Sequence, residues 1–128
     1  MAYERKLPPD IRCPLEYGME IIGGKRNSRV ICVLSNLGTL RYSQIRTEMD
    51  NITDAVLAAT LKGLIGHGMV ERRSYDEIPP RVEYSLTKRV RTLVPLLQQI
   101  CQWAGIVCRN EGRDAPLRCR NCDYSPRS

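Results

Sequence analysis

Several signatures of common protein classes are absent from this sequence. It contains a single histidine, His67, and it lacks both a Ser/His/Asp constellation and a glycine-rich phosphate-binding motif, so it offers no basis for an enzyme. No apolar run approaches the length that spans a bilayer, and residues 1–10 are too polar for the apolar part of a secretory signal. We therefore expect a cytoplasmic protein that has no membrane partner.

The composition is that of a folded domain with a modest excess of positive charge. Hydrophobic residues make up 42% of the 128 residues, which excludes disorder of the whole chain and supports one domain with a core. The 20 Lys and Arg residues outnumber the 14 Asp and Glu residues, and the resulting net charge of +6 suits a polyanionic partner. This surplus is spread evenly along the chain, so basicity alone does not predict DNA binding.

The middle of the chain predicts two consecutive helices. Apolar spacing favours a short helix over residues 42–49, and Asp50-Asn51 breaks it. A second helix starts at Thr53, whose hydroxyl can cap the first turn, and ends at the Gly66/Gly68 pair. Residues at helical spacing predict its buried face, namely Leu57, Leu61, Leu64 and Ile65.

After the second helix the pattern changes from helical to alternating. Residues 69–75 and 81–86 alternate in polarity around a proline-containing loop, which is typical of an antiparallel hairpin. Val82, Tyr84 and Leu86 should face one side of this hairpin. Two helices followed by a hairpin form a winged helix-turn-helix, so the predicted fold class is α+β and mainly α.

Further helices flank this motif. One is expected from Leu15 to Ile22, another from Asn27 or Ser28 to Leu37, and a long one from Lys88 to Gly105, capped by Thr87 and kinked at Pro95. The long helix has more apolar positions than so small a domain can cover, so we interpret it, with the first helix, as a dimer surface. This divides the chain into an N-terminal arm (1–12), the winged domain (13–105) and a Cys/Arg-rich appendage (106–128).

Several ordered blocks of sequence resemble the HxlR family of bacterial and archaeal transcriptional regulators, which are relatives of the MarR group. The blocks are Cys13-Pro14, Gly23-Gly24-Lys25, Arg41-Tyr-Ser-Gln-Ile-Arg46, Ile52-Thr53, Gly68-Met-Val-Glu-Arg-Arg73, Pro79-Pro-Arg-Val-Glu-Tyr-Ser-Leu-Thr87 and Trp103. The resemblance implies a dimeric winged-helix protein that binds double-stranded DNA. Compared with the family pattern, Arg26 replaces a tryptophan, and Ala58 and Ala59 replace long polar residues of the recognition helix.

On this basis we expect a homodimeric repressor that places two recognition helices in successive major grooves of an inverted repeat. Without an Arg, Asn or Gln on the exposed face, sequence specificity would come from thymine methyl groups, DNA shape and the wing. Arg72 and Arg73 either contact DNA or pair with Glu71 or Glu83 across the hairpin. The residues expected at the DNA are Arg41, Ser43, Thr53, Ala55, Ala58, Ala59, Lys62 and Arg81.

The six cysteines suggest a further role. Cys13 matches a position that some family members use to sense oxidants, and it precedes a helix, where the dipole favours a thiolate; alternatively it is a thiol packed at the dimer surface. Cys32 lies on an apolar stripe and is expected in the core. The spacing of Cys119-Arg-Asn-Cys122 is that of a zinc knuckle.

A structural Zn²⁺ site would need two more ligands, for which Cys101 and Cys108 are the candidates; a redox pair or free thiols are the alternatives. Besides a plain DNA-binding regulator, the hypotheses are therefore a thiol- or zinc-based sensor that controls DNA binding and a winged helix that binds another protein.

Overall fold

The computed structural model describes residues 10–112, with the exception of the Lys25 side chain. Within this range the helices and strands follow the order of a winged helix-turn-helix. Their bounds are α1 Pro14–Ile22, α2 Gly24–Leu37, β1 Leu40–Arg41, α3 Tyr42–Met49, α4 Asp54–Gly66, β2 Val70–Tyr75, β3 Arg81–Leu86, α5 Lys88–Arg91 and α6 Val94–Asn110.

The first two helices are separated by Gly23 alone. Pro14 occupies the first position of α1, where its missing N–H costs nothing. Helix α2 begins at Gly24 and not at Asn27 or Ser28, as the sequence predicted. The reason is that the Asn27 side chain donates a 2.8 Å hydrogen bond to the Ile21 carbonyl, so it closes the end of α1 instead of capping α2.

The core forms where α2, α3 and α4 meet. Its fully buried side chains include Ile31 of α2, Ile45 of α3 and Leu57 of α4. Each such side chain contributes roughly 1.5–3 kcal/mol through removal from water. Leu61 and Leu64 are buried as predicted, whereas Ile65 stays 36% exposed at the edge of the stripe.

A small antiparallel sheet follows, with strand order β1-β3-β2. The sequence predicted two strands; β1 has only two residues and is too short to show an alternating pattern. The predicted facing of β3 is confirmed, because buried Leu86 pairs with buried Val70 and Tyr84 pairs with buried Leu40.

The predicted long helix is two helices. Helix α5 ends at Arg91, and α6 begins at Val94, so Pro95 lies in a first turn and does not kink a helix interior. This arrangement avoids the lost hydrogen bond and the clash that an interior proline would cause. Helix α6 continues to Asn110, beyond the predicted end at Gly105. Among the described residues, no helix combines the length and the apolar character that a membrane span requires.

Thr87 lies at the predicted N-cap position, but its side chain does not cap the helix. It precedes α5, and its hydroxyl instead donates a 2.6 Å hydrogen bond to the Gly68 carbonyl. Gly68 has φ +72, which favours glycine, and it ends α4 together with a 2.9 Å bond from the Met69 N–H to the Leu64 carbonyl. Thr87 therefore fastens the end of β3 to the turn after α4.

Candidate nucleic-acid interface

A tight turn joins α3 to α4. Asp50 and Asn51 adopt positive φ values of 54° and 35°, a region that aspartate and asparagine tolerate better than most residues. Thr53 then caps α4 as predicted, since its hydroxyl oxygen accepts a 3.2 Å hydrogen bond from the Val56 N–H. The break and the start that the sequence predicted for α4 are both confirmed.

Asp54 links the two helices of the motif. Its carboxylate accepts a 3.2 Å hydrogen bond from the Tyr42 hydroxyl and an ion pair from Arg46, both on α3. It also lies in the first turn of α4, where the helix dipole favours a negative charge. Polar contacts between α3 and the first turn of α4 therefore stabilise the angle between these helices, in addition to the contacts in the core.

The outer face of α4 is smooth and open. Leu57, Leu61 and Leu64 point into the core, which leaves the opposite side uncovered. The structure brings together the residues that the sequence placed on this side, and all are exposed: Thr53, Ala55, Ala58, Ala59 and Lys62. The three alanines allow close approach of a partner, and Lys62 supplies one positive charge at the side.

The start of α3 lies at the edge of the sheet. Arg41, in β1, and Ser43, in the first turn of α3, are both exposed. The Arg41 N–H donates a 2.9 Å hydrogen bond to the Gln44 side chain, which caps this end of α3. The guanidinium of Arg41 and the hydroxyl of Ser43 are thus held near the N-terminus of a helix, a favourable position for an anion.

The hairpin of β2 and β3, called the wing below, carries arginines on both faces. Arg72 donates a 3.0 Å hydrogen bond to Ser74, and Arg73 forms a 3.5 Å ion pair with Glu71. The pair of Arg73 with Glu71 is one that the alternative interpretation expected, but both contacts run along β2, whereas that interpretation expected a pair across the hairpin. The pKa of Arg73 is raised by a hydrogen bond with the Tyr75 hydroxyl and by the nearby Glu71 carboxylate.

Arg81, the wing residue favoured by the sequence analysis, is already engaged. Its guanidinium lies 4.0 Å from the centre of the Tyr75 ring, and its Nη2 atom lies 3.1 Å from Glu77 Oε1. The side chain is 30% exposed, and its Nε atom is buried without a hydrogen-bond partner. The sequence pattern placed Arg81 correctly beside the loop but did not reveal these partners.

A second open surface is apolar. On α1 it includes Leu15 and Met19, which are 72% and 53% exposed. On α6 it includes large side chains one or two turns apart, Leu96, Ile100, Trp103 and Ile106. Part of the stripe predicted for the long helix, including Val90 and Leu97, is buried in the core instead, so the open face of α6 is rotated from the one expected.

The cysteines occupy different environments. Cys13 is exposed at the N-cap position of α1, as expected for a thiol at a helix start. Cys32 is partly buried against the core, in agreement with its predicted packing role.

Of the four candidate zinc ligands, the structure describes Cys101 and Cys108, and it does not bring these two together. Cys101 and Cys108 lie on the continuous helix α6, seven residues apart, which separates them by about 10 Å along the helix axis. Two thiolates on one Zn²⁺ ion, each about 2.3 Å from the metal, lie closer than that. Helix α6 therefore does not present both sulfurs to one ion, and Cys119 and Cys122 lie outside the described residues.

Sequence reasoning missed two sets of contacts. One is the link from Tyr42 and Arg46 to Asp54; the other is the contact of Arg81 with Tyr75 and Glu77. The first joins separate helices, so no local pattern reveals it. The second follows from hairpin register, since a five-residue loop places Tyr75 opposite Arg81, and that pairing was available from the sequence.

Comparisons with known proteins agree with this architecture. Residues 21–111 match the family described as HxlR-like helix-turn-helix. An HTH-type transcriptional regulator from Methanothermobacter thermautotrophicus is 39% identical over 107 residues, which cover 81% of each chain. The crystal structure of the HTH-type transcriptional regulator ytcD, a Bacillus subtilis protein, is similar with a TM-score of 0.72 and 31% identity, covering 77% of this chain and 99% of that one. The redox regulator HypR in its oxidized form is also similar, with a TM-score of 0.63, 36% identity and coverage of 74% and 96%.

Proposed function

Because this chain belongs to the HxlR-like helix-turn-helix family of transcriptional regulators, we propose that it is a homodimeric repressor that binds double-stranded DNA at an inverted repeat. The observation that carries this proposal is the open face of α4, which stands next to the wing with no side chain of the described residues covering it. A winged helix-turn-helix presents its second helix to the major groove in this way.

We assign the major-groove contact to the outer face of α4. Ala55, Ala58 and Ala59 bring methyl groups close to the bases, which suits contact with thymine methyls more than hydrogen bonding to base edges. Lys62 is placed for a phosphate, and Thr53 lies at the helix start. Discrimination between sequences then depends on methyl contacts and on the shape of the DNA.

The backbone contacts come from the flanks. Arg41 and Ser43, which are exposed at the start of α3, would contact the phosphates of one strand of the duplex. The wing, with the exposed Arg72 and Arg73, would form the second flank. Contacts with the DNA backbone on both flanks would thereby fix the position of α4 in the major groove.

Dimerisation is supported by the apolar face of α1 and α6. Several of its side chains are more than half exposed, among them Leu15, Leu96 and Trp103. Exposed large apolar side chains in such number mark an interaction site, and a second copy of the chain would cover them across a twofold axis. The two α4 helices would then meet half-sites about one helical turn apart.

The proposal is tested by fluorescence anisotropy with a labelled duplex from the region upstream of the protein's own gene. We expect salt-dependent binding that is stronger than binding to a scrambled duplex. Lys62→Ala should weaken binding to both duplexes equally, while Lys62→Arg, which keeps the charge, should bind as the unaltered protein does. Absence of binding at low salt would refute the proposal and favour a winged helix that binds another protein.

A thiol-controlled regulator is the second candidate, because the exposed Cys13 borders α1, which carries part of the apolar face, and the structure resembles a redox regulator. Oxidation would join Cys13 in a disulfide to a second thiol, with two electrons and two protons passing to the oxidant, and would alter the dimer and with it the spacing of the α4 helices. Treatment with diamide should change DNA affinity in the unaltered protein and not in Cys13→Ser. An equal response of both proteins would exclude Cys13 as the sensor.

A further inference from the structure

At the loop end of the wing, one arginine side chain contacts a tyrosine and a glutamate. Tyr75 and Arg81 are the last registered pair of the hairpin, and the five-residue loop 76–80 leaves from them. The Arg81 guanidinium stacks on the Tyr75 ring at 4.0 Å and reaches Glu77 Oε1 at 3.1 Å. The Glu77 N–H in turn donates a 2.9 Å hydrogen bond to the Tyr75 carbonyl. We call Tyr75, Glu77 and Arg81 the wing clamp.

The geometry of the clamp leaves Arg81 poorly placed to bind a phosphate. Strong recognition of a phosphate by arginine uses two parallel N–H groups along one edge of the guanidinium. In Arg81 the Nε atom is buried and Nη2 is bound to Glu77. A move of Arg81 onto the DNA would also strip the Glu77 carboxylate of its counter-charge next to the phosphates, where a negative charge is repelled.

The loop held by the clamp presents an apolar side chain. Ile78 is fully exposed at the tip, and it is followed by Pro79 and Pro80, whose rings restrict the backbone. Isoleucine is among the apolar side chains that proteins insert from the minor-groove side of DNA. An acidic pair, Asp76-Glu77, precedes this uncharged tip. Because Arg81 neutralises the Glu77 carboxylate, the pair repels the DNA phosphates less.

We propose that Arg81 is a positioning residue, which acts with Tyr75 and Glu77 to hold the wing loop in the shape that places Ile78 against the DNA minor groove. This inference rests on the proposed DNA-binding function. It assigns the wing's contact to Ile78 at the tip and leaves the exposed Arg72 and Arg73 as the arginines of the hairpin that remain for the DNA backbone.

The clamp is tested first in the free protein by amide hydrogen exchange at Glu77. Arg81→Ala and Tyr75→Leu should each accelerate this exchange by about threefold to tenfold, the effect expected from losing a cation–π contact or an exposed ion pair. Tyr75→Phe keeps the ring and loses only the hydroxyl, so its exchange at Glu77 should match that of the unaltered protein. Unchanged exchange in Arg81→Ala would overturn the clamp.

The second test measures affinity for a labelled duplex from upstream of the protein's own gene over a series of salt concentrations. Loss of a phosphate contact lowers the slope of log affinity against log salt by about 0.9, whereas loss of a positioning contact leaves the slope unchanged. Arg81→Ala and Tyr75→Leu should each weaken binding about threefold to tenfold with an unchanged slope, and the double variant should be no weaker than either one. Ile78→Ala should weaken binding in the same manner.

The outcomes separate this inference from the proposed function. A slope lowered by about one in Arg81→Ala, with normal affinity in Tyr75→Leu, would make Arg81 a phosphate contact and refute its positioning role. Normal affinity of Ile78→Ala would refute the minor-groove contact while DNA binding stands. If the unaltered protein binds no DNA, the proposed function fails, and the exchange experiment alone then decides whether the clamp exists.

Discussion

The apolar face of α1 and α6 leads to the prediction that Ile100→Glu prevents dimerisation. Ile100 is 51% exposed in the single chain and lies between Leu96 and Trp103, which are 54% and 65% exposed. Complete burial of an isoleucine contributes roughly 1.5–3 kcal/mol, so covering about half of its surface contributes about 0.8–1.5 kcal/mol. Since a twofold axis uses the residue twice, its removal costs the dimer about 1.5–3 kcal/mol.

This loss corresponds to a dissociation constant raised about tenfold to more than a hundredfold. Glutamate adds the cost of burying a charge, so the estimate is a lower bound for Ile100→Glu. Sedimentation equilibrium over a range of protein concentrations measures the change directly. We expect the variant to be monomeric where the unaltered protein is dimeric, and to bind the operator duplex more weakly because two linked half-site contacts become one.

Gln98→Glu is the matched control. It adds the same charge to the same helix, but position 98 lies about 160° around α6 from Ile100 and about 80° or more from the other large side chains of the open face. Its dimer should dissociate no more than that of the unaltered protein. If both variants dissociate equally, added charge and not this face explains the effect; if Ile100→Glu stays dimeric, the assignment of the face is refuted.

Two further predictions concern the helix-turn-helix itself. Thr53→Ala removes the cap from the Val56 N–H and should lower the free energy of unfolding by about 1 kcal/mol, whereas Thr53→Ser keeps the hydroxyl and should keep most of the stability. Equal stability of the two variants in urea denaturation would show that the cap contributes nothing. Asp54→Ala removes the partner of Tyr42 and Arg46 and should lower the free energy of unfolding by about 1–2 kcal/mol. Asp54→Asn keeps a hydrogen-bond acceptor for Tyr42 and should lower it less. Since salt screens an ion pair, a loss of stability seen only at high salt would contradict the ion-pair contribution.

Much of the helix-turn-helix part of the fold could be predicted because its signals are local. Thr53, the Asp50-Asn51 break and the leucine stripe of α4 act through backbone conformation and helical spacing within a few residues. Once Leu57 and Leu64 are directed inward, the exposure of Ala55 and Ala59 on the other side follows from the geometry of a helix. The structure accordingly places these residues where the sequence pattern predicted them.

The differences arise where a residue has a choice of distant partners. Asn27 and Thr87 are both good helix caps by type, yet each uses its side chain for a carbonyl of another element, Ile21 and Gly68 respectively. Pro95 was expected to kink one helix, and the chain instead starts a new helix at Val94. Strand β1 exists because β3 is beside it, and two residues carry no pattern of their own.

The sequence by itself thus determined the two helices and the hairpin of the winged helix-turn-helix, the outward face of α4 and the family resemblance, because caps, breaks and periodicity depend on neighbours along the chain. Tertiary structure alone decided that Tyr42 and Arg46 bind Asp54, and which face of α6 remains open. The physical reason is that the packing of separate elements sets which side chains meet and which side of a helix the core covers. The linear pattern of residues does not contain the distances between those elements.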